Sequence, residues 1–188
     1  VEVFRNFYIN GGTRLQKADY IFDKRAGFTT GYTTRKAKQP VSMAGGRYEY
    51  GKGSNLFFNV QETFRFLAAD EWYSIYTGLN ADLQQQEGVQ YEMGVKHNWN
   101  DAATTSVTPY ILYLHNEIFY DPTLGGGFGD NSNYDKTHRV GVDLAQTFDL
   151  LKVIPTDLFT RWQWRMNYSY LRPEFTGGAN DGKISATV

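Results

Sequence analysis

The sequence predicts an all-β chain, an antiparallel up-and-down sheet of about nine long strands curved as the wall of a transmembrane β-barrel. It reads as one unit over residues 1–188. Three observations carry this expectation. Apolar residues recur with a period of 2 rather than 3.6, as in strands with one apolar face. Several alternating runs last ten residues or more, whereas globular strands usually have about five or six; a strand tilted about 45° needs roughly 9–11 residues to cross a bilayer. Connections alternate between long and short, the habit of barrels with long extracellular loops and short turns opposite. A soluble β-sandwich would also show period 2, because it too buries one face of each strand. Strand length, loop asymmetry and aromatics at strand ends favour the barrel.

In chain order, residues 3–10, 13–22, 26–36 and 41–50 have strand composition with only partial alternation. Gly11-Gly12, Asp23-Lys24-Arg25 and a segment ending in Pro40 separate them. Residues 55–66 alternate Leu56, Phe58, Val60, Phe64 and Phe66 against Asn59, Gln61, Thr63 and Arg65, with Phe57 and Glu62 out of pattern. A long loop from Phe66 to Gly88 follows. Residues 89–99 set Val89, Tyr91, Met93, Val95 and Trp99 against Gln90, Glu92, Gly94, Lys96 and Asn98. After the compact turn Asn100-Asp101-Ala102-Ala103, residues 105–120 alternate less cleanly, with Tyr110, Leu112, Leu114 and Ile118 on one parity. Beyond a Gly-rich loop at 121–136, residues 137–150 set Val140, Val142, Leu144, Phe148 and Leu150 against Arg139, Gly141, Asp143, Thr147 and Asp149. A short connection around 152–157 leads to residues 158–170. One face there reads Leu158, Thr160, Trp162, Trp164, Met166, Tyr168, Tyr170; the other includes Arg161, Gln163, Arg165 and Asn167. As a helix this segment would scatter arginine and tryptophan around every side; as a strand it separates them. Tyr48, Tyr50, Trp99, Phe119, Tyr120, Trp162 and Tyr170 near strand ends fit interfacial girdles.

Composition narrows the function classes. With 16% aromatic residues the chain is not disordered. No stretch approaches the roughly 18 apolar residues of a membrane-spanning helix. A net charge of −1 gives no reason to expect nucleic acid. The absence of cysteine excludes disulfides, thiolate metal sites and cysteine nucleophiles.

From Asn55 onward, ordered blocks carry a family resemblance: Asn55-Leu56-Phe57, Phe64-Arg65-Phe66, Ala69-Asp70-Glu71-Trp72-Tyr73, Gly78-Leu79-Asn80-Ala81-Asp82-Leu83 and Tyr91-Glu92-Met93-Gly94-Val95-Lys96. Asn116-Glu117-Ile118-Phe119 with Asp121-Pro122, then Asn133 to Leu144, then Asn167-Tyr168-Ser169-Tyr170-Leu171 follow, and Gly46-Arg47-Tyr48-Glu49 adds a weaker match. These blocks resemble TonB-dependent outer-membrane receptors. The resemblance implies the later middle part of a barrel of about 22 strands, without the plug domain or C-terminal strands in this chain. It implies the outer membrane of a Gram-negative bacterium, with outer-membrane lipid around the barrel. TonB, a bulky nutrient chelate such as a ferric siderophore, and further strands or another chain on the sheet edges would be partners. A structural receptor-like scaffold without transport of its own is the alternative.

The chemistry-bearing residues point to binding rather than catalysis. Asp70 and Glu71 are adjacent on a loop with no nucleophile in view, so solvation or an ion pair accounts for them. His97, His115 and His138 fall on different expected strands without ligand spacing, and no metal or cofactor is expected. Gly125 to Gly129 lacks the context of a phosphate cradle and reads as a mobile loop. The oxygen-rich run Asp130 to Asp135 lacks the turn glycine and later glutamate of a calcium hand. Arg65, Lys96, Arg139, Arg161 and Arg165 lie on the polar parity, where they would line a lumen and attract an anionic solute, or pair with Glu92 and Asp143. Trp72, Tyr73 and Tyr76 could close over a ligand from the long loop. The candidate substrate-binding set is therefore Arg65, Trp72, Tyr73, Tyr76, Arg139, Arg161 and Arg165. No enzyme activity is expected, since no Ser/His/acid set shares one parity of neighbouring strands.

Overall fold

The computed structural model describes residues 1–24, 31–74 and 77–176. Its strands are β1 (Glu2–Phe4), β2 (Phe7–Lys24), β3 (Gly31–Gly51), β4 (Ser54–Arg65), β5 (Tyr73–Ser74), β6 (Gly78–Leu79), β7 (Gln86–Trp99), β8 (Ala103–Asp121), β9 (Asp130–Asp149) and β10 (Gln163–Phe175). Eight of them form one antiparallel sheet in the order β1-β2-β3-β4-β7-β8-β9-β10. The two-residue strands β5 and β6 pair separately within the 66–85 connection. Two single-turn α-helices, α1 (Ala69–Trp72) and α2 (Leu150–Val153), and a 3-10 turn at Gly125–Gly127 complete the described elements.

Long strands and sequential pairing are as the sequence predicts, but several boundaries move. The four expected early segments become the short β1 and two continuous strands. Asn6, at φ 66°, makes the β1–β2 turn. Gly11 and Gly12 are laddered against Ala44 and Met43, because a glycine in an otherwise paired strand weakens it without ending it. Pro40 is tolerated inside β3 because β4 pairs with β3 only as far as Met43, so Pro40 has a strand on one side alone. The expected loop at 121–136 shrinks to residues 122–129, since β9 already pairs with β8 at Asp130. Conversely, the expected strand at 158–170 begins only at Gln163. Leu158, Arg161 and Trp162 lie in the connection after α2, which is therefore longer than the sequence suggests.

The register explains the faces. Phe7, Tyr48, Leu56, Val95, Val107, Leu144 and Tyr168 are successive cross-strand partners, a row of apolar residues over seven strands. One pleat away, Glu49, Asn55, Lys96, Ser106, Ala145 and Asn167 form the corresponding row on the other face. Period 2 along each strand has become an apolar face and a polar face of one sheet. Among the described residues only Val41, Leu67, Leu83 and Leu114 are buried apolar side chains, while Phe58, Met93, Trp164 and Tyr168 stand exposed on the apolar face. A sandwich would bury such a face under a second sheet; here one layer leaves it open.

The apolar face is banded. At the end with the turns after β3 and β7, Tyr50 stacks on His97 at 5.8 Å, His97 meets Trp99 edge-on at 4.3 Å, and Phe148 lies 5.5 Å from Trp164. On β7 the band runs from Trp99 to Val89. At about 3.4 Å per residue that is about 34 Å along the strand, or about 24 Å across a membrane at a tilt of about 45°. This matches the apolar band of an outer-membrane barrel, about 25 Å tall.

Beneath the aromatics, glycines make room. Phe57, out of pattern in the sequence, crosses Gly94 on the polar face, where a Cβ would come within 2.5 Å of its ring and 2.7 Å of the Val107 carbonyl oxygen. Tyr110 covers Gly141 in the same way, at 2.4 Å. At the β7–β8 turn, Lys52 Nζ donates to Asp101 at 2.7 Å. That hydrogen bond, with a second from Asn98, holds the Asp101 carboxyl below its usual range.

Candidate functional site: the rim of the polar face

The strands bring the connections after β4 and β8 to one end of the sheet, beside the neighbouring ends of β2 and β3. The turns after β3 and β7 and the α2 connection lie at the other.

The 66–85 connection is anchored on both flanks. Towards the β2–β3 hairpin, Tyr20 Oη donates to the Leu67 carbonyl at 2.8 Å, and Gln85 Nε2 donates to Gln39 Oε1 at 3.0 Å. Trp72 meets Tyr20 edge-on at 5.0 Å and Phe22 at 6.3 Å, while Tyr73 stacks on Phe22 at 5.6 Å. Towards the β8–β9 hairpin, Asn80 Nδ2 donates to the Asn131 carbonyl at 2.6 Å and Asn131 Nδ2 to the Glu71 carbonyl at 3.3 Å. Gln84 N donates to Asn133 Oδ1 at 2.7 Å, and Asn133 Nδ2 returns to the Gln84 and Asn116 carbonyls. Thr77 Oγ1 donates to Asp130 Oδ2 at 3.0 Å. The oxygen-rich run 130–135 is thus engaged in fastening a loop. Asp121 caps the 122–129 connection, accepting from the hydroxyl and backbone N–H of Thr123, and these bonds lower its carboxyl pKa.

The candidate residues are spread along the sheet, some at each end and Arg139 in the middle of β9. Arg65, at the end of β4, chelates Glu71 with Nη1 at 2.7 and 2.9 Å from its two oxygens, and Glu71 also accepts from Ala68 N. Trp72 and Tyr73 lie beside it in α1 and β5. Tyr76 lies outside the described residues. Arg139 is on the polar face of β9 and pairs with Glu117, which also accepts from Thr137 Oγ1. Arg161 and Arg165 are at the opposite end, and Arg161 is not on a strand. Both donate to Gln163 Oε1, at 2.8 and 3.2 Å.

Glu117 is the functional-face residue that sequence parity misses. The sequence offers Glu92 and Asp143 as lumen partners, yet Asn59 and Gln90 donate to Glu92, and Arg139 takes Glu117. The reason is Asn116, at φ 55° within β8. Left-handed backbone there re-aims the following side chain. Tyr110, Leu112 and Leu114 pair with Glu92, Gln90 and Gly88 and therefore face the polar side, and Glu117 joins them instead of alternating away. The available signal was Asn116 itself, since asparagine is enriched in that conformation. Above it, Tyr134 lies 5.7 Å from Phe119 and 4.4 Å from Phe175. The polar wall thus ends in an aromatic cluster beside a charged pair.

What the arrangement can do is bind. It offers rings, amides and guanidinium groups around a rim, and among the described residues no cluster of metal-ligating side chains forms. Comparison with known proteins places it. The family model "TonB dependent receptor-like, beta-barrel" matches residues 3–186. Among curated proteins no sequence relative matches. Among solved structures, the "Copper transporter OprC" superposes with a TM-score of 0.68 at 14% identity, over 92% of this chain and 28% of that one. The ferric-catecholate import receptor Fiu from K12 E. coli, in its closed form, gives 0.61 at 18% identity, over 94% and 27%. The chain thus spans roughly a quarter of each of these two proteins. A single antiparallel wall with opposed apolar and polar faces is what that family's barrels are built from, and the chain belongs to the TonB-dependent receptor family, within its β-barrel domain.

Proposed function

We propose that the chain forms part of the wall of an outer-membrane receptor in a Gram-negative bacterium, taking up a scarce, bulky nutrient such as a ferric siderophore or another chelate with energy passed through TonB. The observation that carries this reading is the opposition of faces. An exposed apolar band of membrane height backs a polar wall, and the wall leads to a rim with Arg65, Trp72 and Tyr73 at one end. Hydrocarbon accepts the first face, water and solute the second. The free edges of β2 and β10 require further strands or another chain, because unpaired backbone groups in lipid each cost several kcal/mol. OprC and Fiu are named for copper transport and ferric-catecholate import, which supports a metal-containing nutrient as cargo. The chain makes and breaks no covalent bond in this role. Arg65, Trp72 and Tyr73 contact the ligand from the rim, together with Tyr76 of the same connection, and Arg139 contacts it from the middle of the polar wall; Arg161 and Arg165 act at the far end.

A second reading, a receptor-like scaffold without transport, draws on one observation. Each candidate arginine already has a partner within the chain: Glu71 for Arg65, Glu117 for Arg139, Gln163 for Arg161 and Arg165. Replacing Trp72 and Tyr76 by Ala in the receptor and measuring uptake of the iron or copper chelate by whole cells separates the two. Transport predicts a clear loss of uptake with the barrel still folded. Unchanged uptake would remove the rim from the binding site, and a protein with no uptake before mutation would favour the scaffold.

A further inference from the structure

The fork between β3 and β4 leaves backbone groups that neither the polar rim nor nutrient uptake uses. β3 pairs with β4 only from Gly51 as far as Met43, whereas its ladder with β2 continues to Gly31. Beyond Met43 one edge of β3 therefore has no strand beside it among the described residues. In an antiparallel ladder alternate residues turn their N–H and C=O to the same neighbour. Ser42 N donates to Glu62 Oε2 at 2.7 Å, so Ser42 faces the β4 side, and Pro40, Lys38, Lys36 and Thr34 face it too. Pro40 has no N–H to offer. The N–H groups of Lys38, Lys36 and Thr34 find no acceptor among the described residues. The 66–85 connection is fastened to the polar face of the hairpin, through Tyr20 and Gln39, and not to this edge. Where the strands part, a cleft of about 310 Å³ opens beside Val41, Ser42, Met43 and Glu62, so the edge is reachable from the fork.

In lipid such groups would each cost several kcal/mol, so this length of edge lies beyond the hydrocarbon, in water or against a partner. An open edge is a template for an added strand, and the charge beside it selects which strand. Lys38 and Lys36 stand exposed on the outward face, with Lys17 opposite Lys38, and Arg35 stands exposed on the other face, opposite Tyr20. None of these four makes an ion pair among the described residues. The acids on the outward face here are Asp19, opposite Lys36, Asp23, opposite Tyr32, and Glu62, engaged by Ser42. A second copy pairing edge to edge would set lysine against lysine, which repels. Lysine and proline on an open edge are a usual guard against such self-association. A strand with carboxylates at alternate positions meets no such barrier, since its carboxylates would face ammonium groups across the new ladder. Glu62 shows the edge taking a carboxylate at its first position. We propose that the β3 edge from Lys38 to Thr34 docks an extended, acidic segment of another protein as an added strand.

The test titrates the full receptor, purified in mild detergent, with a fluorescent octapeptide of alternating threonine and glutamate, and reads binding by anisotropy. Two control peptides separate the contributions. Alternating threonine and lysine reverses the charge; alternating proline and glutamate keeps the charge but cannot form a ladder. The variants are K38P, which removes an edge N–H as Pro40 already does, K36Q/K38Q, which keeps the N–H groups without the charge, and K52Q at the opposite end of the sheet. The expected result is saturable binding of the threonine–glutamate peptide by the wild type and K52Q, several-fold weaker binding by K36Q/K38Q, and loss of binding by K38P. The Thr34, Lys36 and Lys38 amides of the wild type should also exchange hydrogen more slowly with the peptide bound, a readout independent of how K38P folds. No binding by the wild type would leave the lysines and Pro40 as a guard alone and overturn the docking edge. Equal binding of the proline–glutamate peptide, undiminished binding by K38P, or unchanged amide exchange would mean charge attraction without an added strand and overturn it as well. Equal binding of the threonine–lysine peptide would overturn the acidic partner. Nutrient uptake enters none of these readouts. A receptor that transports but binds no peptide overturns this inference alone, and one that binds the peptide but never transports overturns only the proposed function.

Discussion

Arg139 and Phe57 show where parity reads a side chain correctly and where it stops. Alternation with Val140 and Val142 puts Arg139 on the polar face, and the register agrees. Its partner was out of reach because Asn116 turns Glu117 out of alternation, a backbone event that no period records. Glu117 and Arg139 are partly buried, with 15% and 29% of their side chains exposed. Glu117→Ala should therefore cost about 1–3 kcal/mol by leaving a guanidinium and a hydroxyl unsatisfied. A double-mutant cycle with Arg139→Ala, read by denaturant unfolding in micelles, should return a favourable coupling; zero coupling would mean the pair is incidental. Phe57 broke the pattern because its ring needs an empty position opposite, and Gly94 supplies it. Gly94→Val should cost about 1–3 kcal/mol through overpacking against the Val107 carbonyl and that ring, measurable as a lowered unfolding midpoint.

At the scale of elements, strands with strong alternation were legible and their ends were not. The strand expected at 158–170 keeps its alternation over Trp164 to Tyr170 but starts late, because α2 and its exit occupy residues 150–162. Alternation alone cannot tell a paired residue from an unpaired one. Gly11 and Pro40 look like breaks to local reasoning, yet the long hairpin ladder between β2 and β3 carries both. The loop after β4 reads as a free excursion in sequence; tertiary contacts from Asn131 and Asn133, far along the chain, fix it. Asn133→Ala removes hydrogen bonds to Gln84 and Asn116. It should leave the sheet intact while making the 66–85 connection markedly more sensitive to protease added to whole cells. Cleavage that appears only after lysis would place this end of the sheet on the periplasmic side.

For the whole molecule, fold class was readable because length, alternation and connection pattern are all properties of a single-layer wall. Ligand identity was not, since the rim is assembled from the 66–85 connection and strand ends far apart in the chain, whose contacts are set by the fold. Val142, in the middle of the apolar band of β9, makes the membrane claim quantitative: Val142→Arg should destabilise by about 2–4 kcal/mol if that face meets lipid. The most direct measurement places single cysteines at Met93, Val142 and Met166 on one face and at Glu92, Asp143 and Asn167 on the other, then labels them in intact outer membranes with a water-soluble maleimide. The account predicts that the second set labels and the first stays protected until detergent strips the lipid. Reversed labelling, or equal labelling of both sets before detergent, would contradict it.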